Sequence, residues 1–316
     1  MKEDMIKDKK MLFTGKILKS IVCVFGIIIG AVLYYTDTSH RRTTKSNLKF
    51  IYPEWDNEKI RKVSKRVFQN FGITIIEIIQ MSFFNKRNVL ANIHIIKGEE
   101  HLRNAINGGN GVVVVSAHIG NWESASLYIP CYFGHSVTSV ARKIDSAIIN
   151  KLALKMRTRF GNLIIDKEGA LPEMNRTVRS GNILAILIDQ STTASEGVEV
   201  NFFGKKVTAT PAAAVVALRC KSPVIPAFCI RDKDNKLGII FEPPIQITRT
   251  KSLRDDLVTN TQLMNDVVEK IIKEYPDQWL WLHKRWKKFY ADLYPEYMER
   301  RKRRIEKVMN KNSNGN

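Results

Sequence analysis

One histidine, His118, closes an unbroken apolar run, and a glutamate, Glu123, follows five positions later in the stretch Val112 to Glu123, VVVVSAHIGNWE. An imidazole titrates near neutral pH and a carboxylate can orient it, so the two side chains together suit general-base catalysis. Residues five apart on a regular helix point in different directions, because neighbours on one face are three or four apart. The pair therefore meets only if His118 sits in the turn before a helix and Glu123 in its first turns. Glu123 then accepts from one ring nitrogen and leaves the other to receive a proton from an incoming hydroxyl. The competing reading is a satisfied histidine capping a strand, and spacing alone does not choose between them. No G-x-S-x-G elbow is present, so Ser116 is a poor nucleophile and the base would act on a substrate hydroxyl.

The platform for these residues is legible in the apolar run itself. Led in by Asn107-Gly108-Gly109-Asn110-Gly111, it reads as a strand buried on both faces. From Gly98 onward the chain alternates. Helices are expected over Glu99 to Ile106, Trp122 to Tyr132, Asp145 to Phe160 with Asp145 as cap, and Leu171 to Arg179. A further helix starts at Pro211, a favoured first-turn residue. Strands are expected over Val112 to Ala117, Ser136 to Ala141, Asn162 to Ile165, Ile183 to Ile188, Val224 to Ile230 and Leu237 to Phe241. Such alternation predicts an α/β fold, a mostly parallel central sheet flanked by helices. Reactive groups in such sheets gather where strands end at their carboxyl side. Both His118 and Asp189 fall at positions of that kind.

The chain of 316 residues carries 51 Lys and Arg against 31 Asp and Glu, a formal charge of +20, with 44% hydrophobic residues. That charge implies a polyanionic partner: nucleic acid, an anionic membrane surface or an acidic carrier protein. Nucleic acid is disfavoured, since zinc-finger spacing, an RNP-like aromatic strand and basic-region heptads are all missing. Cys23, Cys131, Cys220 and Cys229 lack metal-ligand or disulfide-framework spacing and read as reduced packing residues. Ile17 to Tyr35 is strongly apolar and interrupted by Lys19. It reads as an uncleaved membrane anchor, spanning or lying in the interface, because no A-x-A cleavage site follows. A basic connector, His40 to Lys49, comes next. The tract Glu58 to Phe84 then sets Ile60, Val63, Val67, Phe71, Ile75, Ile78 and Ile79 at helical spacing. The expected division is residues 1–46 as anchor and connector, 47–295 as the α/β domain and 296–316 as a basic tail.

Six motifs in one order carry a resemblance. They are Asn47-Leu48-Lys49-Phe50-Ile51-Tyr52-Pro53-Glu54; the H-x4-E of His118 and Glu123; Arg157-Thr158-Arg159-Phe160-Gly161; Arg179-Ser180-Gly181 through Asp189-Gln190; Phe202-Phe203-Gly204 with Thr210-Pro211; and the box from Pro276 to Lys287, PDQWLWLHKRWK. Together they resemble the lipid A biosynthesis (late) acyltransferases, a bacterial branch of the lysophospholipid acyltransferase superfamily. The resemblance implies a glycerolipid acyltransferase-like fold at the cytoplasmic face of the inner membrane. It implies transfer of a fatty acyl chain from acyl carrier protein, or a coenzyme A thioester, to a hydroxyl of a membrane lipid. A lipid A precursor is the first acceptor to expect; a phospholipid, another glycolipid or an ornithine-type lipid is the alternative, and a catalytically dead membrane scaffold a further one. No cofactor is expected beyond the co-substrate thioester, and no metal.

By the same resemblance His118 is the general base and Glu123 orients it, with amides around Gly120 and Asn121 offered to the thioester oxyanion. Arg157 and Asp189 form a second pair. Arg157 is assigned to phosphate, and Asp189 either orients Arg157 or binds a sugar hydroxyl beside Gln190. Outside the resemblance, Arg157 reads as part of a solvated helix face and Asp189 as a turn residue. Phe202 and Phe203 either wall an acyl tunnel or simply pack. Trp279, Trp281 and Trp286, interleaved with cations, suit a lipid headgroup interface or a core face with a basic exterior.

Overall fold

A computed structural model describes residues 21–143, 146–193 and 196–299, with residues 303 and 306 beyond them. A seven-stranded sheet runs through the centre. Its strands are β1 (Ile93–Lys97), β2 (Val112–Ser116), β3 (Val137–Ala141), β4 (Leu163–Asp166), β5 (Ile183–Leu187), β8 (Val224–Arg231) and β9 (Leu237–Phe241). Their order is β1-β9-β8-β2-β5-β3-β4. Strands β8, β2, β5, β3 and β4 are mutually parallel, while β9 runs antiparallel to β8 and carries β1 parallel to itself. The expected mostly parallel sheet is therefore present.

The reason is visible in β2. Successive side chains of a strand point to opposite faces. Val113 and Val115 enter one hydrophobic cluster, and Val112 and Val114 enter the other. On one face lie α8 (Leu171–Arg179), α9 (Ala212–Cys220) and α10 (Leu253–Glu274); on the other lie α4 (Lys86–Asn92), α5 (Glu99–Asn107) and α6 (Trp122–Phe133). A hairpin, β6 (Val198–Phe202) and β7 (Lys205–Ala209), lies outside the main sheet and packs on α10. Phe203 (φ 54°) and Gly204 (φ 67°) form its two-residue loop, and positive φ at both positions suits a tight hairpin turn.

Several expectations need correction. The connector His40 to Lys49 is helical, inside α2 (Thr38–Ile51), because Asp37 caps it and Leu48 and Asn47 are buried along it. Asn47 donates to the Trp281 and His283 carbonyls at 2.8 and 2.9 Å, so α2 is tied to the far end of the chain. The helix expected to reach Phe160 is α7 (Ala147–Arg157); Phe160 itself adopts φ 58° in the turn after it, and Asp145 lies outside the described residues. Elements β1, α4, α10 and the hairpin add to the expected set. Most of the tail from Glu299 onward lies outside the described residues.

Among the described residues no single helix is long and apolar enough to cross a membrane. Helix α1 (Ile21–Thr36) and α2 meet that test only as a pair bent by 92°. Residues 17–20 of the expected anchor lie outside the described residues. One side of α1 packs backbone to backbone on α3 (Asn57–Met81): a Cβ on Gly30 would stand 2.2 Å from the Phe68 carbonyl oxygen, and one on Gly72 would stand 2.2 Å from the Gly26 oxygen. The other side leaves Ile21, Phe25, Ile28, Val32 and Tyr35 exposed, at the spacing of one helical face.

Candidate active site

Strand β2 ends at Ser116 and its neighbour β5 at Leu187, and these two residues are paired in register. His118 and Asp189 each lie two residues beyond that pair, so the parallel ladder delivers them side by side. The ring Nδ1 of His118 is 2.8 Å from Asp189 Oδ1, and the His118 backbone N–H donates to Asp189 Oδ2 at 3.0 Å. Trp279 completes the set, its indole N–H donating to Oδ2 at 2.8 Å. The Asp189 side chain is 0% exposed and that of His118 is 19% exposed. Burial alone would push the Asp189 carboxyl up. The facing His118, and then the His283 and Trp279 groups, hold it well below the usual carboxylate range. It is a fixed anion.

That anion sets the state of the imidazole. Burial works to lower the His118 pKa, but Asp189 outweighs it by charge and hydrogen bond, and Glu123 adds to the rise while Arg157 opposes it. The net shift is upward from the ordinary 6.5. An ionised Asp189 can only accept, so in the neutral ring Nδ1 carries the proton and Nε2 is the basic nitrogen. Trp122 packs edge-on against the ring, with centroids 5.1 Å apart.

The expected partner of His118 was Glu123, and the structure replaces it with Asp189. Glu123 sits in the first turn of α6, capped by Asn121, and faces Arg157 at the end of α7. The Arg157 Nε donates to both carboxylate oxygens at 3.0 and 3.1 Å, and a second guanidinium nitrogen closes on Oε1. Burial disfavours the Arg157 cation, but the Glu123 carboxylate more than offsets this, and the guanidinium pKa is raised. Arg157 is thus oriented by Glu123, not by Asp189, and Asp189 is too deep to meet a sugar hydroxyl. The partners are exchanged because the +5 residue belongs to the helix, while the strand-end acid belongs to the neighbouring ladder.

Both His118 and the Glu123–Arg157 pair line a cavity of about 1010 Å³ that wraps the carboxyl edge of the sheet. Its lining is apolar along the sheet and α6 (Val114, Ala125, Ile129, Val137, Ala185, Ala227) and includes polar side chains elsewhere (Arg142, Lys167, Glu168, Gln190, Ser191, Thr210). That volume stands at the top of the ~300–1,000 Å³ range of ligand pockets. Gln190 is exposed and lines the cavity. Phe202 and Phe203 do not line the cavity; Phe202 is fully buried against Trp279, 5.7 Å between centroids, and Phe203 packs on Trp281.

The C-terminal box is core, not interface: Trp279, Trp281 and Trp286 are all 0% exposed. It clamps the turn around His118 instead. The Leu280 N–H donates to the His118 carbonyl at 2.9 Å and the Gly120 N–H to the Gln278 carbonyl at 3.1 Å. The Asn121 N–H donates to the Cys229 carbonyl at 3.0 Å. The Gly120 and Asn121 amides are therefore committed and cannot serve an oxyanion. Among the described residues no cluster of His, Cys, Asp and Glu could hold a metal ion.

Comparison with known proteins identifies the family. The family described as bacterial lipid A biosynthesis acyltransferase matches residues 12–288. A lipid A biosynthesis lauroyltransferase of Escherichia coli K12 is 26% identical over 245 residues, covering 76% of this chain and 77% of its own. A lipid A biosynthesis acyltransferase of Haemophilus influenzae is 24% identical over 269 residues, covering 84% and 82%. A phosphatidylinositol mannoside acyltransferase of Mycobacterium tuberculosis is 22% identical over 223 residues, covering 69% and 68%. The chain belongs to the bacterial lipid A biosynthesis acyltransferase family and is an acyltransferase.

Proposed function

We propose that this protein moves a fatty acyl chain from a thioester, carried by an acidic acyl carrier protein or coenzyme A, to a hydroxyl of a glycolipid, with a lipid A precursor as the acceptor. The observation that carries the reading is the His118–Asp189 pair at the rim of a large, largely apolar cavity. Nε2 of His118 takes the acceptor proton as the hydroxyl oxygen attacks the thioester carbonyl. The tetrahedral intermediate then expels the thiolate, which recovers that proton from the imidazolium. Asp189 stays ionised throughout and stabilises the imidazolium. A positioned base contributes ~10²–10⁴-fold, with the rest from placement of the two substrates. Arg157, locked by Glu123 at the cavity wall, is placed to fork onto a phosphate of the acceptor or of the pantetheine arm. The exposed apolar face of α1 and the net charge of +20 support docking on an anionic inner-membrane surface from the cytoplasmic side.

The test is product identification. Purified protein is given an isotope-labelled acyl carrier protein thioester and vesicles holding either a lipid A precursor or phosphatidylinositol mannoside, and the lipids are read by mass spectrometry. Label on the lipid A precursor supports the reading. Label on phosphatidylinositol mannoside alone moves the acceptor to the chemistry of the mycobacterial relative, and thiol release without any acylated lipid overturns the assignment.

A further inference from the structure

Behind the catalytic turn lies a buried ion pair that the chemistry above leaves unused. Glu77 is the one charged residue in the apolar stretch Ile73 to Met81 of α3. Its Oε1 accepts from Arg231 Nη1 at 2.5 Å and its Oε2 from Nη2 at 2.6 Å, with side chains 12% and 2% exposed. Arg231 ends β8. Three contacts run from this pair to the turn that follows His118. Glu77 Oε2 accepts from Asn121 Nδ2 at 2.7 Å, while Asn121 Oδ1 caps α6 by accepting the Ser124 N–H at 3.1 Å. Arg231 Nη2 donates to the Thr74 hydroxyl at 2.8 Å, which in turn lies 3.0 Å from the Gly120 carbonyl oxygen. The Arg231 backbone exchanges two hydrogen bonds with the Gln278 side chain, at 2.9 and 2.8 Å, and the Gln278 carbonyl holds the Gly120 N–H.

A buried ion pair adds little stability over well-packed apolar residues of the same volume, because both charges lose their hydration. What it supplies here is direction, since every partner is a group of the 118–121 turn or a residue gripping it. We propose that Glu77 and Arg231 are positioning residues, whose pair fixes Gly120 and Asn121 and thereby keeps the His118 imidazole aimed at the cavity. The inference rests on His118 being the base. It adds that the aim of the base is set from α3 and β8 as well as by Asp189.

The experiment uses the full chain with Glu77→Gln, Asn121→Asp, the double variant and His118→Ala as control. Asn121→Asp keeps the acceptor that caps α6 but sets a second carboxylate against Glu77, so it breaks the link while leaving the ion pair in place. Melting curves establish that each protein is folded, and kcat, KM for the thioester and the pH profile are measured. A misplacement of the base predicts a loss of up to about 100-fold in kcat with KM changed less than about twofold. The pH midpoint stays in place, because Asp189 and not Glu77 faces the ring. The double variant loses no more than the worse single variant, since both act through one contact. Unchanged kcat in the folded single variants, or losses that multiply, overturns the proposal; should Glu77→Gln fail to fold, Asn121→Asp decides. Turnover retained in His118→Ala would instead overturn the base itself.

Discussion

Replacing Asp189 by Asn tests which acid governs the base. In the protein Asp189 accepts three hydrogen bonds, from the His118 ring and backbone and from the Trp279 indole, at 2.8, 3.0 and 2.8 Å, without solvent. An amide keeps one acceptor oxygen and brings two donor hydrogens. If the oxygen stays with the indole and backbone donors on the Oδ2 side, the NH2 faces Nδ1, which must then be unprotonated. The ring proton moves to Nε2 and the basic nitrogen is lost. The same exchange in a serine-protease triad costs about 10⁴-fold in kcat, and a positioned base is worth ~10²–10⁴-fold in general. We therefore expect a loss of roughly 10³-fold or more in kcat, with KM nearly unchanged. Residual activity should also titrate differently. Asp189 raises the His118 pKa above the ordinary 6.5, so the wild-type ascending limb lies above that value, and losing the anion moves the midpoint to lower pH. Glu123→Gln leaves the Nδ1–H tautomer intact, since Glu123 bonds to Arg157. The assay is thiol release from an acyl thioester in the presence of acceptor vesicles, from pH 5 to 9 (a range of about this width brackets a histidine titration), with ¹⁵N shifts of the ring reporting the tautomer. Wild-type turnover in Asp189→Asn, or a flipped tautomer in Glu123→Gln, would show that Asp189 does not set the state of the His118 ring.

Three further outcomes are expected. Gly120→Ala should lower stability by about 1–3 kcal/mol, because φ is +57° and a Cβ would stand 2.0 Å from the Cys229 carbonyl oxygen; thermal melting checks it. Phe25→Asp with Val32→Asp should reduce binding to anionic vesicles in flotation while thioester chemistry on a detergent-dispersed acceptor persists, and unchanged flotation would remove α1 from the docking face. Burial first, with Arg285 and His118 adding to it, lowers the His283 pKa to about 4 from 6.5, although Asp189 opposes this. The unfolded chain then binds a proton that the folded one refuses. This contribution to stability is present above pH 6.5 and is lost as pH falls toward 4, by about 3 kcal/mol. Denaturant titrations should show that slope in the wild type and a flatter one in His283→Gln.

The sheet was legible because its signals are local. Four consecutive valines, the turn before them and Pro211 at a helix start each act within a few residues, and β2, β5, β8, β9 and α8 lie where they were expected. The identity of the acid facing His118 was not local. Glu123 is near in sequence, but α6 turns it toward Arg157; Asp189 is 71 residues away and arrives through the β2–β5 register, which no short window contains. The tryptophans of the C-terminal box left a headgroup interface and a core face both open, because alternating cations mark a headgroup surface and a basic outer face equally well; their complete burial decides for the core. In α10 the buried Met264, Val268, Ile271 and Ile272 fall at helical spacing, a sign of the helix that the sequence carries. Glu77, a lone charge within an apolar run, is another such sign, since a residue of this kind is held only with a buried partner.

Acyl transfer by His118→Ala with added imidazole asks whether the ring itself moves the proton. If the His118 Nε2 is the base, the folded variant loses ~10²–10⁴-fold in turnover, and free imidazole, entering the space vacated beside Asp189, restores a measurable part of it. Turnover at the wild-type rate in the variant without imidazole would mean that His118 is not the base.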